Sequence, residues 1–320
     1  MSVFTEVGRD QLVEFLRQYS VGQLLDYRGI AAGIENTNYF VDTDKQQLVL
    51  TLFEHQQESE LEYCLGLMGA LAEAGIPTAG PVPGSDHKTL RHLAGKPAAL
   101  VTRLSGKSVE QPTIEHCHAL GSMLADFHRV GQNYPPTQSN PRGEEWFQAI
   151  AEEVMPKISA DQAQLLRTEL NRQVVVDTAA LPQGVIHADL FRDNALFEGA
   201  ELSGVIDLYA ACNDSLLYDL AICVNDWCID SAGAIDLERG RALVGAYHQI
   251  RPISVAERDA WPMMLRRAAL RFWLSRLRDK FFPRPGHLTR VLDPDHFLTI
   301  LQRRIDHPET LAGLDCQAVA

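Results

Sequence analysis

The sequence predicts an α+β fold in two parts, because strand-like apolar runs are concentrated before residue 104 and helical spacing dominates after it. The runs with strand character in the first part are residues 25–28, 39–41, 47–53 and 96–104. Apolar residues then recur with helical spacing through most of the chain after residue 113. We therefore expect a first lobe at 1–104 and a second, helical lobe at 105–320.

The first lobe also contains two amphipathic helices, at 5–19 and 59–74. The second of them ends at Gly75 and Pro77, residue types that commonly close a helix. Between the first two strands lies the joint GIAAGIENTN, residues 29–38, which is rich in glycine and asparagine. Such residues tolerate positive φ and let backbone amides turn toward an anionic ligand. By itself the joint favours an ordinary hairpin turn over a phosphate-binding loop, because it matches neither G-x-G-x-x-G nor a Walker A sequence.

The second lobe is predicted to be mostly helical. Its predicted helices lie at 113–130, 144–155, 159–177, 216–228, 237–247, 256–281 and 294–304. Residues 131–143, GQNYPPTQSNPRG, form a loop that is long enough to extend over a substrate cleft. His128 lies at helical spacing from apolar neighbours, so we interpret it as a packed core residue rather than a ligand.

Composition limits the class of partner. The chain has 320 residues, 46% of them hydrophobic, and a formal net charge of −13. That charge argues against nucleic acid or an anionic membrane as a principal partner. The six cysteines contain no C-x-x-C pair, and we interpret them as reduced thiols. The N-terminus has no basic segment followed by an apolar run, so we expect a cytoplasmic protein. No sequence feature indicates an obligatory protein partner.

The chemically suggestive residues are concentrated in Gly184–Asp207, which contains the segment HADLFRDN. Here His187, Asp189, Leu190 and Asn194 fit the pattern H-x-D-L-x-x-x-N of kinase catalytic loops. In that pattern the aspartate accepts the proton of the substrate hydroxyl and the asparagine holds Mg²⁺. An ordinary loop with a capping aspartate and a turn asparagine is the alternative that the pattern leaves open.

The residues after Asn194 predict a β-hairpin. Two apolar runs, the first at 195–197, flank the turn EGAE. If Phe197 lies opposite Gly204, antiparallel pairing places Asn194 opposite Asp207. Two oxygen ligands would then converge, and together with substrate phosphates they suit Mg²⁺. Asn194 and Asp207 are therefore the predicted metal ligands.

Several motifs together resemble a known family. GIENTNYFV, VLTLFE, HADLFRDN, IDLYAACND, YDLAI and RFWLSRL, which span Gly33–Leu277, are similar to motifs of the homoserine kinases. Those kinases form part of the aminoglycoside phosphotransferase-like branch of the protein-kinase fold. The resemblance implies a bilobal, protein-kinase-like architecture with a small strand-rich N-lobe, a larger helical C-lobe and ATP between them. It also implies transfer of the γ-phosphoryl group to the side-chain hydroxyl of L-homoserine, in threonine biosynthesis.

The resemblance further implies a role for each central residue. Asp189 would be the catalytic base, while Asn194 and Asp207 would hold Mg²⁺. Asp219, in YDLA, would anchor the catalytic loop, which is a structural role. His187 is included in the catalytic set because it opens the loop.

Two departures from the protein-kinase pattern matter. The DFG motif is replaced by Asp207-Leu208-Tyr209, so no regulated activation loop is expected. The strand lysine is absent, which leaves the ATP phosphates without an obvious cation. Backbone amides of the Gly-rich and Asn-rich joint are candidates to share this task, and Arg192 is a candidate for stabilising charge at the γ-phosphate. The residues expected to bind ATP are Gly33, Asn36, Thr37, Asn38, Thr51, Val101 and Arg103.

L-Homoserine is a zwitterion, so its site needs a cation for the carboxylate and an anion for the ammonium group. We predict that Arg271 or Arg276 holds the carboxylate and that Asp214 receives the ammonium group. A kinase of the same branch that acts on choline, methylthioribose or an aminoglycoside is an alternative, and choline would favour an aromatic cage. A nucleotide-binding regulator without catalysis is a second alternative, motivated by the missing lysine.

Overall fold

The computed structural model describes residues 4–30, 36–174, 177–283 and 292–308. The chain divides into two compact units. The first contains the described residues up to Gly106 together with Gly204–Tyr209, and the second contains the other described residues. The lobe boundary after residue 104 stays a prediction.

The first unit is built on a five-stranded antiparallel sheet. Its elements are α1 (Arg9–Leu16), β1 (Leu24–Gly29), β2 (Thr37–Thr43), β3 (Gln47–Leu52), α2 (Glu58–Glu73), β4 (Arg91–Leu93) and β5 (Lys96–Thr102). The strands are arranged in the order β1-β2-β3-β5-β4. The strands that carry Thr51 and Val101, β3 and β5, are therefore neighbours.

Alternation along β2 turns one face of this strand into the core of the first unit. Tyr39 and Val41 are buried, and the residues between and beside them are partly exposed. They share an apolar cluster with Leu12 and Phe15 of α1. This period of two predicted the strand, but its predicted extent was too short because polar residues stand at both of its ends.

Helices dominate the rest of the chain. The elements after Gly106 are α3 (Ile114–Gly131), α4 (Glu144–Val154), α5 (Ala160–Gln173), β6 (Gln183–Ile186), β7 (Ala195–Glu198), β8 (Glu201–Val205), β9 (Cys212–Ser215), α6 (Leu216–Trp227), α7 (Leu237–Ile250), α8 (Val255–Phe281) and α9 (Pro294–Asp306). The helices agree with their predicted positions to within about one turn, because long periodic segments give the strongest local signal. The predicted α+β class is confirmed.

Helix α6 is completely buried within the second unit. It packs against α8, which begins at a capping box formed by Ser254 and Glu257 and packs in turn against α9. Helix α6 carries Asp219 and Asp226, two carboxylates in a mainly apolar environment. Buried carboxylates require hydrogen-bond or ion-pair partners. The position of α6 therefore also determines where the groups that donate to Asp219 and Asp226 must lie.

Strands β6 and β9 pair antiparallel, with Gly184 opposite Asp214 and Ile186 opposite Cys212. This pairing was not predicted from the sequence. It brings Asp214 beside the strand that enters the catalytic loop. Strands β7 and β8 also pair, which confirms the predicted hairpin. The placement of Asn194 opposite Asp207 stays a prediction.

No helix within the described ranges has a stretch that is both long enough and apolar enough to cross a membrane. The five cysteines that the structure describes are buried and have free thiols.

Candidate active site

The catalytic loop begins where β6 ends, and Asp219 of α6 holds its first two residues. The amide of His187 donates to Asp219 Oδ2 at 2.7 Å, and the amide of Ala188 donates to Oδ1 at 2.9 Å. Ala188 adopts φ of +64°, a left-handed conformation that is strained for a residue with a side chain. The two hydrogen bonds compensate for that strain. The predicted anchoring role of Asp219 is confirmed.

A buried histidine completes the surroundings of Asp219. His128 Nε2 lies 3.0 Å from Asp219 Oδ2, and His128 Nδ1 lies 2.7 Å from the Tyr247 hydroxyl. Burial alone would raise the pKa of Asp219, but hydrogen bonds from His128 and from the His187 amide lower it below its usual value. The carboxyl therefore stays ionised and accepts every hydrogen bond offered to it. The interpretation of His128 as a core residue is confirmed.

His187 itself is completely buried, and its ring lies 6.4 Å from the ring of Phe127. A side chain without exposed surface does not contact a substrate. Its inclusion in the catalytic set is corrected here, because His187 supports the loop from the protein interior.

Asp189 is the carboxylate that the loop presents. Its side chain keeps 29% of its surface exposed, and the Nη1 atom of Arg271 lies 3.5 Å from its Oδ1. Burial raises the pKa of Asp189, and the charges of Arg271 and Arg142 oppose that rise without cancelling it. A partly exposed carboxylate with a raised pKa is suited to accept a proton.

Asn194 lies at the end of a short 3₁₀ turn formed by residues 192–194. Its Nδ2 atom donates to the Asp189 carbonyl at 2.8 Å. This bond fixes the amide so that Oδ1 remains as its cation-binding atom. Amide and carboxylate oxygens are the donors that Mg²⁺ takes in proteins, so Asn194 fits the predicted metal role chemically.

Asp207 belongs to the first unit and has φ of +65°, again a left-handed backbone conformation at a residue with a side chain. The negative charge of Asp207 acts on the nearby Cys64. Burial, and then the charges of Glu60 and Asp207, raise the pKa of the Cys64 thiol to about 12. Strained backbone of this kind is concentrated at functional sites, which fits the role predicted for Asp207.

Arg192 has different partners from those predicted. Its Nε and Nη2 atoms bond to the Asp226 carboxylate at 3.2 and 3.1 Å, and its Nη1 bonds to the Glu110 carbonyl at 2.8 Å. The backbone amide of Arg192 also donates to Asp226, at 2.8 Å. With its fork used by an internal carboxylate, the guanidinium ties the loop to α6. We therefore correct its assignment as a γ-phosphate ligand.

The residues predicted to bind ATP lie in the first unit, and several have internal partners. The Thr37 hydroxyl donates to Glu54 at 2.8 Å and accepts from the amides of residues 4 and 5. The Thr51 hydroxyl donates to Asn38 Oδ1 at 2.7 Å, and Asn36 Oδ1 accepts from the Glu54 amide at 3.3 Å. These side chains connect β2 to β3. A phosphate contact here would involve backbone amides, as the sequence suggested.

The remaining predicted ATP residues are less informative. Gly33 lies outside the described residues. Val101 is buried in β5 opposite Val49. Arg103 lies 3.6 Å from the Asp42 carboxylate and 4.1 Å from the Phe40 ring centroid. Their role toward ATP stays a prediction.

Of the three predicted acceptor residues, Arg271 and Asp214 act on the same neighbours, Tyr218 and Cys212, whereas Arg276 does not join them. Arg271 lies beside Asp189, and Asp214 lies on β9, where its Oδ2 accepts from Asn140 Nδ2 at 2.6 Å. Arg276 instead donates to the Asp293 carbonyl at 3.0 Å and lies 4.4 Å from the Phe297 ring centroid. These contacts tie Arg276 to the start of α9. Of the two arginines, the geometry favours Arg271, and the choice of Arg276 is corrected.

Two further residues lie in this region and were not predicted from the sequence, Arg142 and Tyr218. The charge of Arg142 acts on Asp189, and the charge of Arg271 acts on Tyr218. A local signal existed for each, since Arg142 is the one arginine of the predicted loop 131–143 and Tyr218 precedes Asp219 in YDLA. Neither signal indicates what the residue contacts in the folded chain.

Comparisons with known proteins show the family to which the chain belongs. Residues 26–253 match the model of the phosphotransferase enzyme family. A homoserine kinase of Methylobacillus flagellatus is 50% identical over 314 residues, with 98% of each chain covered. A homoserine kinase of Cupriavidus pinatubonensis is 46% identical, with 98% of this chain and 99% of the relative covered.

Solved structures share the fold at low sequence identity. The amicoumacin kinase hAmiN, in complex with AMP-PNP, Ca²⁺ and Ami, matches with a TM-score of 0.69 at 16% identity, over 96% of this chain and 94% of that one. The choline kinase LicA of Streptococcus pneumoniae matches with a TM-score of 0.64 at 15% identity, over 95% and 98% of the two chains. The family model and the full-length relatives define a phosphotransferase that acts on a small alcohol. Within the phosphotransferase enzyme family, the chain belongs to the homoserine kinases.

Proposed function

We propose that the protein transfers the γ-phosphoryl group of ATP to the side-chain hydroxyl of L-homoserine. The observation that carries this proposal is the pair formed by the Asp189 carboxyl and Arg271, 3.5 Å apart, in a chain whose full-length relatives are homoserine kinases. The pair offers a proton acceptor for a hydroxyl and a cation for a carboxylate. L-Homoserine carries the hydroxyl at the end of its short side chain and the carboxylate on its backbone.

In the proposed reaction Asp189 accepts the hydroxyl proton as the acceptor oxygen bonds to the γ-phosphorus. The bond between that phosphorus and the bridging oxygen of ATP breaks, and ADP leaves with the electron pair. Asp219 holds the backbone that precedes Asp189, so the base keeps its position during the transfer. The raised pKa of Asp189 makes it a better proton acceptor than an ordinary aspartate.

Mg²⁺ would be held by Asn194 Oδ1 and by the Asp207 carboxylate, with ATP phosphates as further ligands. When bound, the ion supplies positive charge that offsets the negative charge of the phosphates. The orientation of the Asn194 amide supports this assignment, since its Nδ2 is already committed to the Asp189 carbonyl. Backbone amides near residues 36–38 are proposed to contact the phosphates.

The charges near Asp189 argue against choline as the acceptor. A quaternary ammonium group is recognised by aromatic faces without a neighbouring cation. Here the guanidinium of Arg271 is buried beside Asp189, and the charge of Arg142 acts on both residues. An aminoglycoside, which carries several positive charges, would meet the same two arginines. An acceptor with its own carboxylate suits this environment better.

An assay of ADP release with purified protein, ATP and Mg²⁺ tests the proposal. The panel is L-homoserine, L-serine, L-threonine, choline and one aminoglycoside, and the Asp189→Asn variant is the control for non-enzymatic release. We expect L-homoserine to be turned over far better than the others. Equal or better turnover of choline would reject the assignment, and no acceptor-dependent turnover at all would favour the regulator.

A further inference from the structure

The loop between α3 and α4 is fastened to β9 within the second unit. The amide of Gln138 donates to Asn213 Oδ1 at 2.8 Å, and the amide of Asn213 donates to the Gln138 carbonyl at 2.7 Å. Further along, Asn140, two residues after Gln138, donates from Nδ2 to Oδ2 of Asp214, the residue after Asn213, at 2.6 Å. The loop is therefore held along the strand that pairs with β6, beside the entrance to the catalytic loop.

The same asparagine fixes the position of Arg142. Asn140 Oδ1 accepts from the Arg142 amide at 2.8 Å, so one side chain connects Asp214 to the backbone of Arg142. The Arg142 side chain is half-buried. Its guanidinium forms no ion pair with any carboxylate among the residues that the structure describes. An arginine held in place without an acidic partner has its fork available for a ligand.

Arg142 and Arg271 are close enough to repel each other. Burial and then the charge of Arg142 lower the pKa of Arg271, and Asp189 opposes them, so that the pKa lies at about 10. Arg271 is only 5% exposed. Two guanidinium groups thus lie near the Asp189 carboxylate in a poorly solvated place, and the charge of Asp214 acts in the same region. Arg271 pairs with Asp189, and Arg142 forms no ion pair among the described residues, so an anion that bridges both arginines would relieve their mutual repulsion.

A buried hydroxyl faces the same group of charges. Tyr218 is 2% exposed, and its hydroxyl has no hydrogen-bond partner among the described residues. Burial raises its pKa to about 12, with Arg271 and Arg267 acting in the opposite direction. The Arg267 guanidinium carbon lies 5.8 Å from the Tyr218 ring centroid. A buried hydroxyl without a partner costs about 1–3 kcal/mol, which favours a ligand that accepts its proton in a hydrogen bond.

From these contacts we infer that Arg142 and Arg271 together bind the carboxylate of the amino-acid acceptor, and that the Tyr218 hydroxyl donates a third hydrogen bond to it. The inference rests on the proposed function, which supplies an acceptor with a carboxylate. It makes the loop at 132–143 a determinant of specificity for α-amino acids. Asp214, which shares Asn140 with Arg142, is the proposed partner of the ammonium group.

Steady-state kinetics of Arg142→Ala and Arg142→Lys test the inference, with Arg172→Ala as the matched control on the exposed end of α5. We expect Arg142→Ala to raise the KM for L-homoserine roughly 10–100-fold, because a hydrogen bond to a charged group is lost. Arg142→Lys should lie between wild type and Arg142→Ala, since it keeps the charge and loses the fork. The KM for ATP should stay within about twofold of the control.

Two competitive inhibitors separate the carboxylate from the rest of the acceptor. L-2-Aminobutyrate keeps the carboxylate and the ammonium group, whereas 3-amino-1-propanol keeps the ammonium group and the hydroxyl. Arg142→Ala should raise the Ki of the first and leave the Ki of the second unchanged. Tyr218→Phe should raise the Ki of L-2-aminobutyrate several-fold, about the effect of one hydrogen bond to a charged group.

The possible failures are distinguishable. If the wild-type protein does not phosphorylate L-homoserine, the proposed function is rejected and this inference with it. If it does so and Arg142→Ala resembles Arg172→Ala in its KM for L-homoserine, the inference alone is rejected. A parallel rise in the KM for ATP would also reject it, because it would show general damage to the site rather than loss of a carboxylate contact.

Discussion

The Nε2 atom of His128, on α3, lies 3.0 Å from Oδ2 of Asp219, on α6, and both side chains are fully buried. The same carboxylate accepts the amides of His187 and Ala188, and the other nitrogen of His128 meets the Tyr247 hydroxyl. A continuous chain of hydrogen bonds thus runs from α7 through α3 and α6 to the residue before Asp189. The position of Asp189, the proposed base, therefore depends on fully buried groups.

The first prediction concerns this series of hydrogen bonds. The Asp219 oxygens accept hydrogen bonds from the His187 and Ala188 amides and from His128. Asp219→Asn replaces one of these oxygens by an NH₂ group, which cannot accept, so at least one buried donor loses its partner. We expect the free energy of unfolding to fall by about 3 kcal/mol or more and kcat to fall with it. Urea denaturation and initial rates measure both effects. Asp259→Asn, at an exposed site on α8, is the control and should change neither. An unchanged denaturation midpoint for Asp219→Asn would contradict the anchoring role.

The second prediction concerns the pH dependence of the rate. Because burial raises the pKa of Asp189, kcat/KM for L-homoserine should fall on the acid side at a pH above 3.8, the usual value for the group. Arg271 opposes that rise. Arg271→Gln should therefore move the acid limb of the profile to higher pH. Arg278→Gln, on the same helix with 43% of its side chain exposed, should leave the limb in place. An unmoved limb in Arg271→Gln would show that Asp189 does not control it.

The third prediction links activity to stability at Asp189. Since its folded-state pKa is raised, the folded protein binds this proton more readily than the unfolded chain does. Ionisation of Asp189 therefore lowers folding stability once the pH exceeds about 3.8. Asp189→Asn should raise Tm at pH 7 by on the order of a few degrees and lower kcat by roughly 10²–10⁴-fold. At pH 3 the gain in Tm should vanish. A lower Tm at neutral pH would contradict the raised pKa.

The fourth prediction separates the base from the metal ligands. Asp207→Asn removes the anionic oxygen that we propose as a Mg²⁺ ligand, so it should weaken binding of Mg·ATP as well as the rate, with partial recovery at high Mg²⁺. Asn194→Ala should behave in the same way. Asp189→Asn should retain ATP binding and show no rescue by Mg²⁺. Titration of Mg²⁺ against the rate of each variant decides between the roles. If Asp189→Asn were the variant that Mg²⁺ rescues, the assignment of base and ligand would be reversed.

Local patterns predicted most of the fold because the decisive signals were local. Helical periodicity gave α3 to α9, and the short turn between Phe197 and Gly204 gave the hairpin. The pairing of β6 with β9 was missed because the segment Cys212–Ser215 has no strand-like alternation of its own. Its conformation is set by a partner far away in the sequence. Without that pairing, the loop fastened to β9 could not be placed either.

Local patterns predicted the candidate site to the same extent as they predicted the fold. The motif located Asp189 and Asn194, because their spacing along the chain is itself the signal. It could not show that Arg192 would find Asp226 on α6, or that Arg276 would be held at the start of α9. An arginine looks the same in a sequence whether its partner is a substrate or a carboxylate of the protein. Only the tertiary contacts distinguish the two cases.

The last prediction tests whether the packing of α3 controls the base. A Cβ atom added at Gly121 would lie 2.1 Å from the Leu243 carbonyl oxygen on α7, which is backbone and cannot rotate away. Gly121→Ala must therefore move α3 away from α7, at a cost of roughly 1–3 kcal/mol or more. Gly245, on α7, has no atom within 4 Å of its added Cβ, so Gly245→Ala is the matched control. It should stabilise the protein by about 0.5–1 kcal/mol, the usual gain on replacing a helical glycine.

The consequence for activity follows from His128, which lies two turns after Gly121 on α3. If α3 moves, the 3.0 Å contact between His128 and Asp219 lengthens, and the loop that carries Asp189 loses part of its support. We expect kcat to fall in Gly121→Ala beyond the fraction of protein that is unfolded, with the KM for ATP nearly unchanged. Gly245→Ala should keep the wild-type kcat. If Gly121→Ala lost stability but kept its full kcat per folded molecule, the position of the base would not depend on α3.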